Sequence, residues 1–351
     1  HLRFRRQRQM CIRDRIKKVS SSNLSQEETA TVIQDIFLGK VPDQEIEHFL
    51  INLSEKGETS DELTGAVLAM RNSSIKVKVK TQGHLVDCCG TGGLCKSMMN
   101  VSTSAAFVAA AAEVKVAKHG NRTATGKSGS ADLLEAANLN LSLKPDQVAK
   151  CIEEIGIGFI FAQNFHPGMK YVMPARKRIA NKTIFNLLGP LTNPANAKRQ
   201  SLGVYDSKWI LPVAETLKNL GAHKAMVFHS KDGLDEISSV DKTLVAELND
   251  GNIKEYEIDP KAFDVHQNNL EDLQINSPSE SLKLIEKTFQ NDFISGKNIT
   301  ALNSAAVIYV SGQTDDYSQA FEIAINVLES GKVQKKLKEL ISFSNKFDES
   351  T

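Results

Sequence analysis

Three stretches of the chain concentrate residues able to do chemistry. The first is Asp87-Cys-Cys-Gly-Thr-Gly-Gly93, an apolar run ending in glycines, with Asn100-Val-Ser-Thr103 opening the next helical segment. Glycines let the backbone approach an anion closely, and unpaired N–H groups at a helix start favour negative charge. Asn100, Ser102 and Thr103 add side-chain donors. The spacing fits neither G-x-x-x-x-G-K-[ST] nor G-x-G-x-x-G, which argues against a P-loop or a dinucleotide site. The second stretch is Lys118-His-Gly-Asn-Arg122 followed by Lys127-Ser-Gly-Ser-Ala-Asp132, with cations, glycines and hydroxyls closely interleaved after a strand. That composition suits a phosphate-gripping loop. The third is Asp232-Gly-Leu-Asp-Glu236, whose adjacent carboxylates suit a hard cation such as Mg2+, an ion that keeps waters and bridges phosphates. Each stretch alone has a plain alternative: a tight glycine turn, a solvated basic turn, a solvated acidic turn. Together they place cations and N–H donors against a carboxylate pair, which fits a pyrophosphate ester with magnesium.

The elements that must hold these loops read as α/β. Ser25 and Glu28 form an S-x-x-E capping box ahead of Val32, Ile33, Ile36 and Phe37, and Gly39 stops the turn. A second helix fits Asp43 to Glu55. A third fits Asp61 to Arg71, entered through Thr59 and Glu62. Three short helices cannot bury much surface alone and must pack on something larger. From Gly83 the texture changes. Leu85 to Cys89, Val114 to Ala117, Ile157 to Phe161 and Ala225 to Phe228 read as strands, alternating with helical segments at 104–112, 145–155, 166–180 and 213–220. Alternation of this kind argues for a mainly parallel sheet. Residues 271–298 read as polar surface helix plus loop, and 332–340 as a solvated helix.

Length and composition bound the rest. The 351 residues suggest two or three domains, and 24% charged residues of mixed sign exclude wholesale disorder. The richest apolar run, Ala105 to Ala112, is too short to span a bilayer. No apolar stretch follows the basic start, so no signal peptide is expected. Residues 1–15 hold six arginines and one aspartate, a net +5, so the remainder carries −4 of the chain's +1. This block reads as a non-native or disordered extension. Without it no surplus positive charge supports nucleic-acid binding. Cys11, Cys88, Cys89, Cys95 and Cys151 are odd in number and lack zinc spacing, which reads as a reduced, cytoplasmic set.

Taken in order, Gly90-Thr-Gly-Gly93, Asn100-Val-Ser-Thr103, Lys118-His-Gly-Asn-Arg122, Lys127-Ser-Gly-Ser-Ala-Asp132, Thr183-Ile-Phe-Asn-Leu-Leu-Gly-Pro-Leu-Thr-Asn-Pro194 and Asp232-Gly-Leu-Asp-Glu236 resemble the anthranilate phosphoribosyltransferase family of tryptophan biosynthesis. The resemblance runs from about residue 20 to the C-terminus. It implies a small discontinuous α-helical domain (16–82 with an insertion near 166–186) and a large α/β domain (83–165 and 187–345). It also implies a homodimer, the substrates anthranilate and phosphoribosyl pyrophosphate, and Mg2+. By the same resemblance Gly90, Thr91, Gly92, Gly93, Leu94, Met98, Asn100, Val101, Ser102, Thr103, Lys118, Gly120, Asn121, Arg122, Gly126 and Ser130 hold the phosphoribosyl donor. Gly90, His119, Asn121, Arg176 and Pro190 meet anthranilate, and Ser102, Asp235 and Glu236 serve the metal. Lys118, His119 and Arg176 are the catalytic positions.

Three other readings compete, one of them a catalytically dead relative kept as a binding subunit, which only Leu94 and Met98 support. A pyrimidine nucleoside phosphorylase would replace the K-H-G-N-R loop with a lysine-serine pattern that this chain lacks. A non-catalytic nucleic-acid-binding paralogue would have no use for Asp235 and Glu236.

The chain departs from the family pattern at Leu94-Cys95, where Asp-Gly is usual, and at Met98, where Thr is usual. Thr123-Ala-Thr-Gly126 replaces a more serine-rich version. Leu94 cannot accept a hydrogen bond or steady metal-bound water, whereas backbone N–H contacts survive the exchange. Leu94→Asp should therefore shift the Mg2+ dependence of activity, and a superimposable metal titration would dispose of this expectation.

Overall fold

The two capping boxes form as their spacing predicts. The computed structural model describes residues 12–81, 83–92, 97–123 and 126–347; it opens with α1 (12–18), α2 (Gln26–Phe37), α3 (Asp43–Lys56) and α4 (Ser60–Ser73). The Ser25 and Thr59 hydroxyls accept from the N–H groups of Glu28 and Glu62, whose carboxylates reach back to the cap backbones. Helix α1 takes in residues 12–15 of the N-terminal block. Ile12 and Ile16, one turn apart, are buried with Val19 against α2–α4, and Arg13 pairs with Glu45 at 2.8 Å. Charge counting marks the block as foreign; its apolar i, i+4 pair docks it from residue 12 onward.

Strands β1 (Leu85–Gly90), β2 (Lys115–Gly120), β3 (Ile157–Phe161), β4 (Arg199–Gly203), β5 (Lys224–Ser230), β6 (Thr243–Asn249) and β7 (Asn252–Ile258) form one sheet in the order β3-β2-β1-β4-β5-β6-β7. The first five are parallel, while β6 and β7 run antiparallel at one edge. Strand order reverses at β1, flanked by β2 and β4. Chains leaving the C-terminal ends of β1 and β4 therefore diverge and open a crevice, the usual ligand position in such sheets. β4, β6 and β7 escaped the sequence reading. β4 has polar Arg199, Gln200 and Ser201 in place of an apolar run. The β6–β7 hairpin did carry a signal, Asp250-Gly251, whose φ angles of 43° and 83° suit a two-residue turn.

Between strands lie α5 (Val101–Ala111), α6 (Ser130–Ala136), α7 (Pro145–Lys150), the single turn α8 (Ala162–Phe165), α9 (Met173–Arg178), α10 (Ile184–Leu191) and α11 (Ile210–Asn219). The segment expected as one helix over 166–180 is a 3-10 stretch, Pro167–Tyr171, followed by α9. Helices α12 (Pro278–Phe289), α13 (Ile294–Ser311), α14 (Tyr317–Glu329) and α15 (Lys332–Asn345) close the chain.

Strand alternation divides the core. Met226 and Phe228 of β5 face the side covered by α5, α12 and α13, whereas Ala225 and Val227 face α11 and the helical layer. That layer takes back residues from α9 and α10: Phe185 lies 6.2 Å from Phe37 between ring centroids, and Arg178 Nε donates to Glu47 at 2.8 Å.

Gly203 ends β4 directly beneath the backbone of Asp235; a Cβ there would overlap the Asp235 carbonyl. Gly203→Ala should lower the unfolding free energy by about 1–3 kcal/mol or more. Gly189→Ala, where a Cβ meets nothing within 4 Å, should leave stability unchanged or raise it. Urea midpoints read both, and equal midpoints for the two variants would contradict the packing described.

Candidate active site

β1 delivers Gly90, and the chain continues through Thr91 to Gly92, whose φ of 65° lies in the left-handed region. The Thr91 N–H donates to the Gly203 carbonyl at 2.9 Å, and Thr91 Oγ1 accepts the Tyr205 N–H at 2.9 Å, fastening this loop to β4. Beyond it the Gly92 N–H donates to Asp235 Oδ2 at 2.8 Å, and the Ser102 N–H, in the first turn of α5, donates to Glu236 Oε1 at 3.2 Å. Two amides expected to hold an anion thus hold the carboxylates expected to serve a metal. Burial pushes the Asp235 carboxyl up and the Glu236 carboxyl to about 8, the neighbouring Asp235 charge adding to the latter.

The facing cation is Lys118. It is buried on β2, with Nζ donating to the Cys88 carbonyl at 2.7 Å and to Ser102 Oγ at 3.4 Å. Two carboxylates against one ammonium leave a negative surplus of hard oxygens, which fits a divalent cation. Among the described residues no group of three or more His, Cys, Asp or Glu could hold a metal. An ion held here would complete its shell from water and substrate oxygens, as Mg2+ prefers. Asp232 stands apart, its Oδ2 accepting from the Ser238 hydroxyl at 2.6 Å.

His119 follows Lys118, and its backbone N–H donates to the fully buried Asp87 carboxylate at 3.0 Å. Gln200 Nε2 donates to the Pro190 carbonyl at 2.6 Å and lies 3.4 Å from Asp87 Oδ2, tying β1, β4 and the end of α10 together. The imidazole is more informative. His119 Nδ1 lies 3.1 Å from the Gly189 carbonyl, and His119 Nε2 lies 3.3 Å from His166 Nε2. A carbonyl only accepts, so Nδ1 carries the proton. Neutral His119 then offers a lone pair at Nε2, and His166 must donate to it. His166 Nδ1 is left as a buried acceptor without a partner among the described residues. Burial lowers His119 to about 4 and His166 further, so both are neutral at pH 7. The only basic lone pair of His119 is already engaged, and the geometry suits positioning of the Gly189–Pro190 turn over general-base work. His166 was missed in the sequence, where it carried no signal beyond its residue type.

Arg176, on α9, is half-buried with its guanidinium 5.7 Å from the Phe185 ring centroid; burial lowers its pKa. Among the described residues it has no ion-pair partner, unlike Arg178. A planar cation in that state suits a ligand carboxylate.

The remaining expected residues divide. Ser130 opens α6, its hydroxyl donating to the Asn121 carbonyl at 3.3 Å, and a Cβ at Gly120 would overlap that hydroxyl. The Asn121 carboxamide oxygen accepts the Arg122 N–H at 2.8 Å and Gln163 Nε2 at 3.3 Å. Arg122, in the loop after β2, is committed to α6, with Glu135 at 2.6 and 2.7 Å and Asp132 at 3.1 Å. The Gly126 N–H donates to Thr123 Oγ1 at 2.8 Å. Met98 forms an antiparallel bridge with Gln274. Val101 and Thr103 are buried, the Thr103 hydroxyl having no partner among the described residues. Gly93 and Leu94 lie outside the described residues. Burial lifts the Cys88 thiol to about 12 and Cys89 well above its usual range, so neither is a nucleophile.

A sheet covered on both faces, with a glycine loop at its switch point and a helical layer packed beside it, is the two-part architecture that sequence comparison assigns to a glycosyl transferase family. The profile described as "Glycosyl transferase family, a/b domain" matches residues 82–334, and "Glycosyl transferase family, helical bundle domain" matches residues 16–74. The anthranilate phosphoribosyltransferase of Marinomonas sp. (strain MWYL1) is 48% identical over 94% of this chain and 95% of its own length. That of Vesicomyosocius okutanii is 46% identical over 95% and 98%. The crystal structure of the anthranilate phosphoribosyltransferase from Thermus thermophilus is 37% identical, with a TM-score of 0.89 over 95% of this chain and 99% of that one. The chain belongs to the anthranilate phosphoribosyltransferase family.

The histidine pair sets a pH dependence. Both groups are neutral folded and unfolded above about pH 6.5. As pH falls toward 4, the unfolded chain takes up protons that the folded one refuses, so stability drops by up to about 1.4 kcal/mol per pH unit per histidine. Lys118 and Lys76 reinforce this by repelling an added positive charge. Urea unfolding between pH 7 and 5 should show the drop. His166→Gln, which keeps an Nε donor without titrating, should flatten part of it; an identical slope in the variant would refute the neutral pair.

Proposed function

We propose that the chain transfers the phosphoribosyl group of phosphoribosyl pyrophosphate to the amine of anthranilate, giving N-(5-phosphoribosyl)anthranilate and pyrophosphate, with Mg2+ as cofactor. The observation that carries the reading is the convergence at the β1/β4 crevice of anion-holding amides, Lys118 and a carboxylate pair. In this reading the Gly92 and Ser102 N–H groups and Lys118 receive the departing pyrophosphate. Asp235 and Glu236, with Ser102, would hold the Mg2+, which when bound supplies positive charge to the leaving group. Positive charge builds on the ribose as the C1′–oxygen bond breaks, the neutral aromatic amine forms the new bond to C1′ without a strong base, and the proton this makes acidic on nitrogen passes to water or to the departing pyrophosphate. Arg176 orients the acceptor through its carboxylate, and the His119-held Gly189–Pro190 turn walls its path.

Two expectations accompany the reading on family grounds: a homodimer and a cytoplasmic location. Among the described residues no helix is long and apolar enough to cross a membrane.

Loss of anthranilate fluorescence should require both the donor and Mg2+. Arg176→Ala should raise KM for anthranilate about 10- to 100-fold and leave KM for the donor near its original value. Persistent fluorescence with folded protein that binds the donor would point to a different acceptor.

A further inference from the structure

We infer that Ser281 of α12 is a positioning residue for the donor side of this site, acting through Asn100; the inference rests on the donor reading given above. Residues 271–298, polar enough to pass for surface in the sequence, are in fact laid against the loop ahead of α5. The Met99 N–H donates to the Leu273 carbonyl at 2.9 Å, and the Ile275 N–H donates to the Ser97 carbonyl at 3.0 Å. Ser281, fully buried in the first turns of α12, completes the contact. Its hydroxyl accepts the Asn100 N–H at 3.1 Å and donates to Asn100 Oδ1 at 2.8 Å.

The consequence lies at α5. Asn100 is its N-cap residue, and an N-cap asparagine ordinarily turns its oxygen onto an amide of its own helix. Here it does not. Asn100 Oδ1 accepts from both Ser281 Oγ and Ser128 Oγ at 2.8 Å, and Asn100 Nδ2 donates to the Ser128 carbonyl at 3.1 Å. Both lone pairs of the carboxamide oxygen are committed, and one Nδ2 proton remains. Ser281 and Ser128 thus hold Asn100 away from capping α5, which leaves the Ser102 N–H open to an anionic oxygen, at present Glu236. The same carboxamide fastens the loop after β1 to the loop ahead of α6, so the spacing of the two donor-binding loops depends on α12.

Without the Ser281 hydroxyl, Asn100 Oδ1 is released to cap its own helix and compete with the donor for that amide. The test uses the full chain and phosphoribosyl pyrophosphate with Mg2+. Calorimetry reads donor binding directly, and steady-state kinetics separate the two substrates. Ser281→Ala should weaken donor binding and raise donor KM about tenfold, with KM for anthranilate within about twofold of the parent. Ser281→Thr keeps the hydroxyl and should restore donor affinity. Ser281→Cys, nearly isosteric with a weak hydrogen bond, should fall between and covers the case in which the alanine variant does not fold. A purely structural role would lower the melting temperature and the active fraction but leave both KM values alone, and that result would overturn the inference. A parent protein that binds no donor would overturn the functional reading and this inference with it; a parent that binds donor, with Ser281→Ala binding equally well, would overturn this inference alone.

Discussion

At the C-terminal ends of β1 and β4 two glycines, Gly90 and Gly203, pair in register, and the chain at Asp235 lies where their side chains would otherwise stand. That close approach lets an acidic turn from beyond β5 reach the Gly92 amide and the N-terminus of α5. A side chain at position 203 would push the turn away from its amides, and one at position 90 would displace the Asp235 carboxylate. The crevice of an open parallel sheet supplies the place. The glycine pair supplies the proximity that makes the place chemically useful.

Proximity brings an electrostatic cost. Lys118 acts on Asp87 and on Glu236, Asp235 adds its charge beside Glu236, and burial raises all three carboxyls. Burial and the Asp235 charge lift the Glu236 carboxyl to about 8, and a divalent cation bound beside it would favour its ionised form. Across the helical layer the imbalance has the opposite sign. Arg176 is partly desolvated without an ion-pair partner among the described residues, and Arg71, half-buried with its Nε on the Leu191 carbonyl, is lowered to about 10 by desolvation. Groups strained in this way by their surroundings mark sites completed by ligands. Here the two signs match the two chemistries proposed, a metal-bound diphosphate and an aromatic carboxylate.

The hydrogen-bonding groups around the site are fixed from behind by elements that carry no ligand of their own. Gln200 ties Pro190 to the neighbourhood of Asp87, His166 donates to the free nitrogen of His119, and Ser281 diverts Asn100 from its own helix. Each works because a buried polar group must find a partner, so removing one member redirects the next.

Local signals in the sequence determined a good part of this protein. The capping boxes at Ser25 and Thr59 are short-range patterns whose meaning follows from backbone geometry alone, while the glycine loop after β1, the basic loop after β2 and the Asp235–Glu236 pair were legible as a set rather than singly. The same reading erred where long-range packing overrides composition. Residues 271–298 looked like surface yet brace Asn100, and 166–180 looked like one helix yet form a 3-10 stretch followed by α9. Tertiary structure alone decided that residue 235 sits on glycines 90 and 203, that His166 meets His119, and that Ser281 meets Asn100. Those contacts join segments distant in sequence, and their partners are set by which faces the sheet and helices must bury, information no local pattern of residues contains.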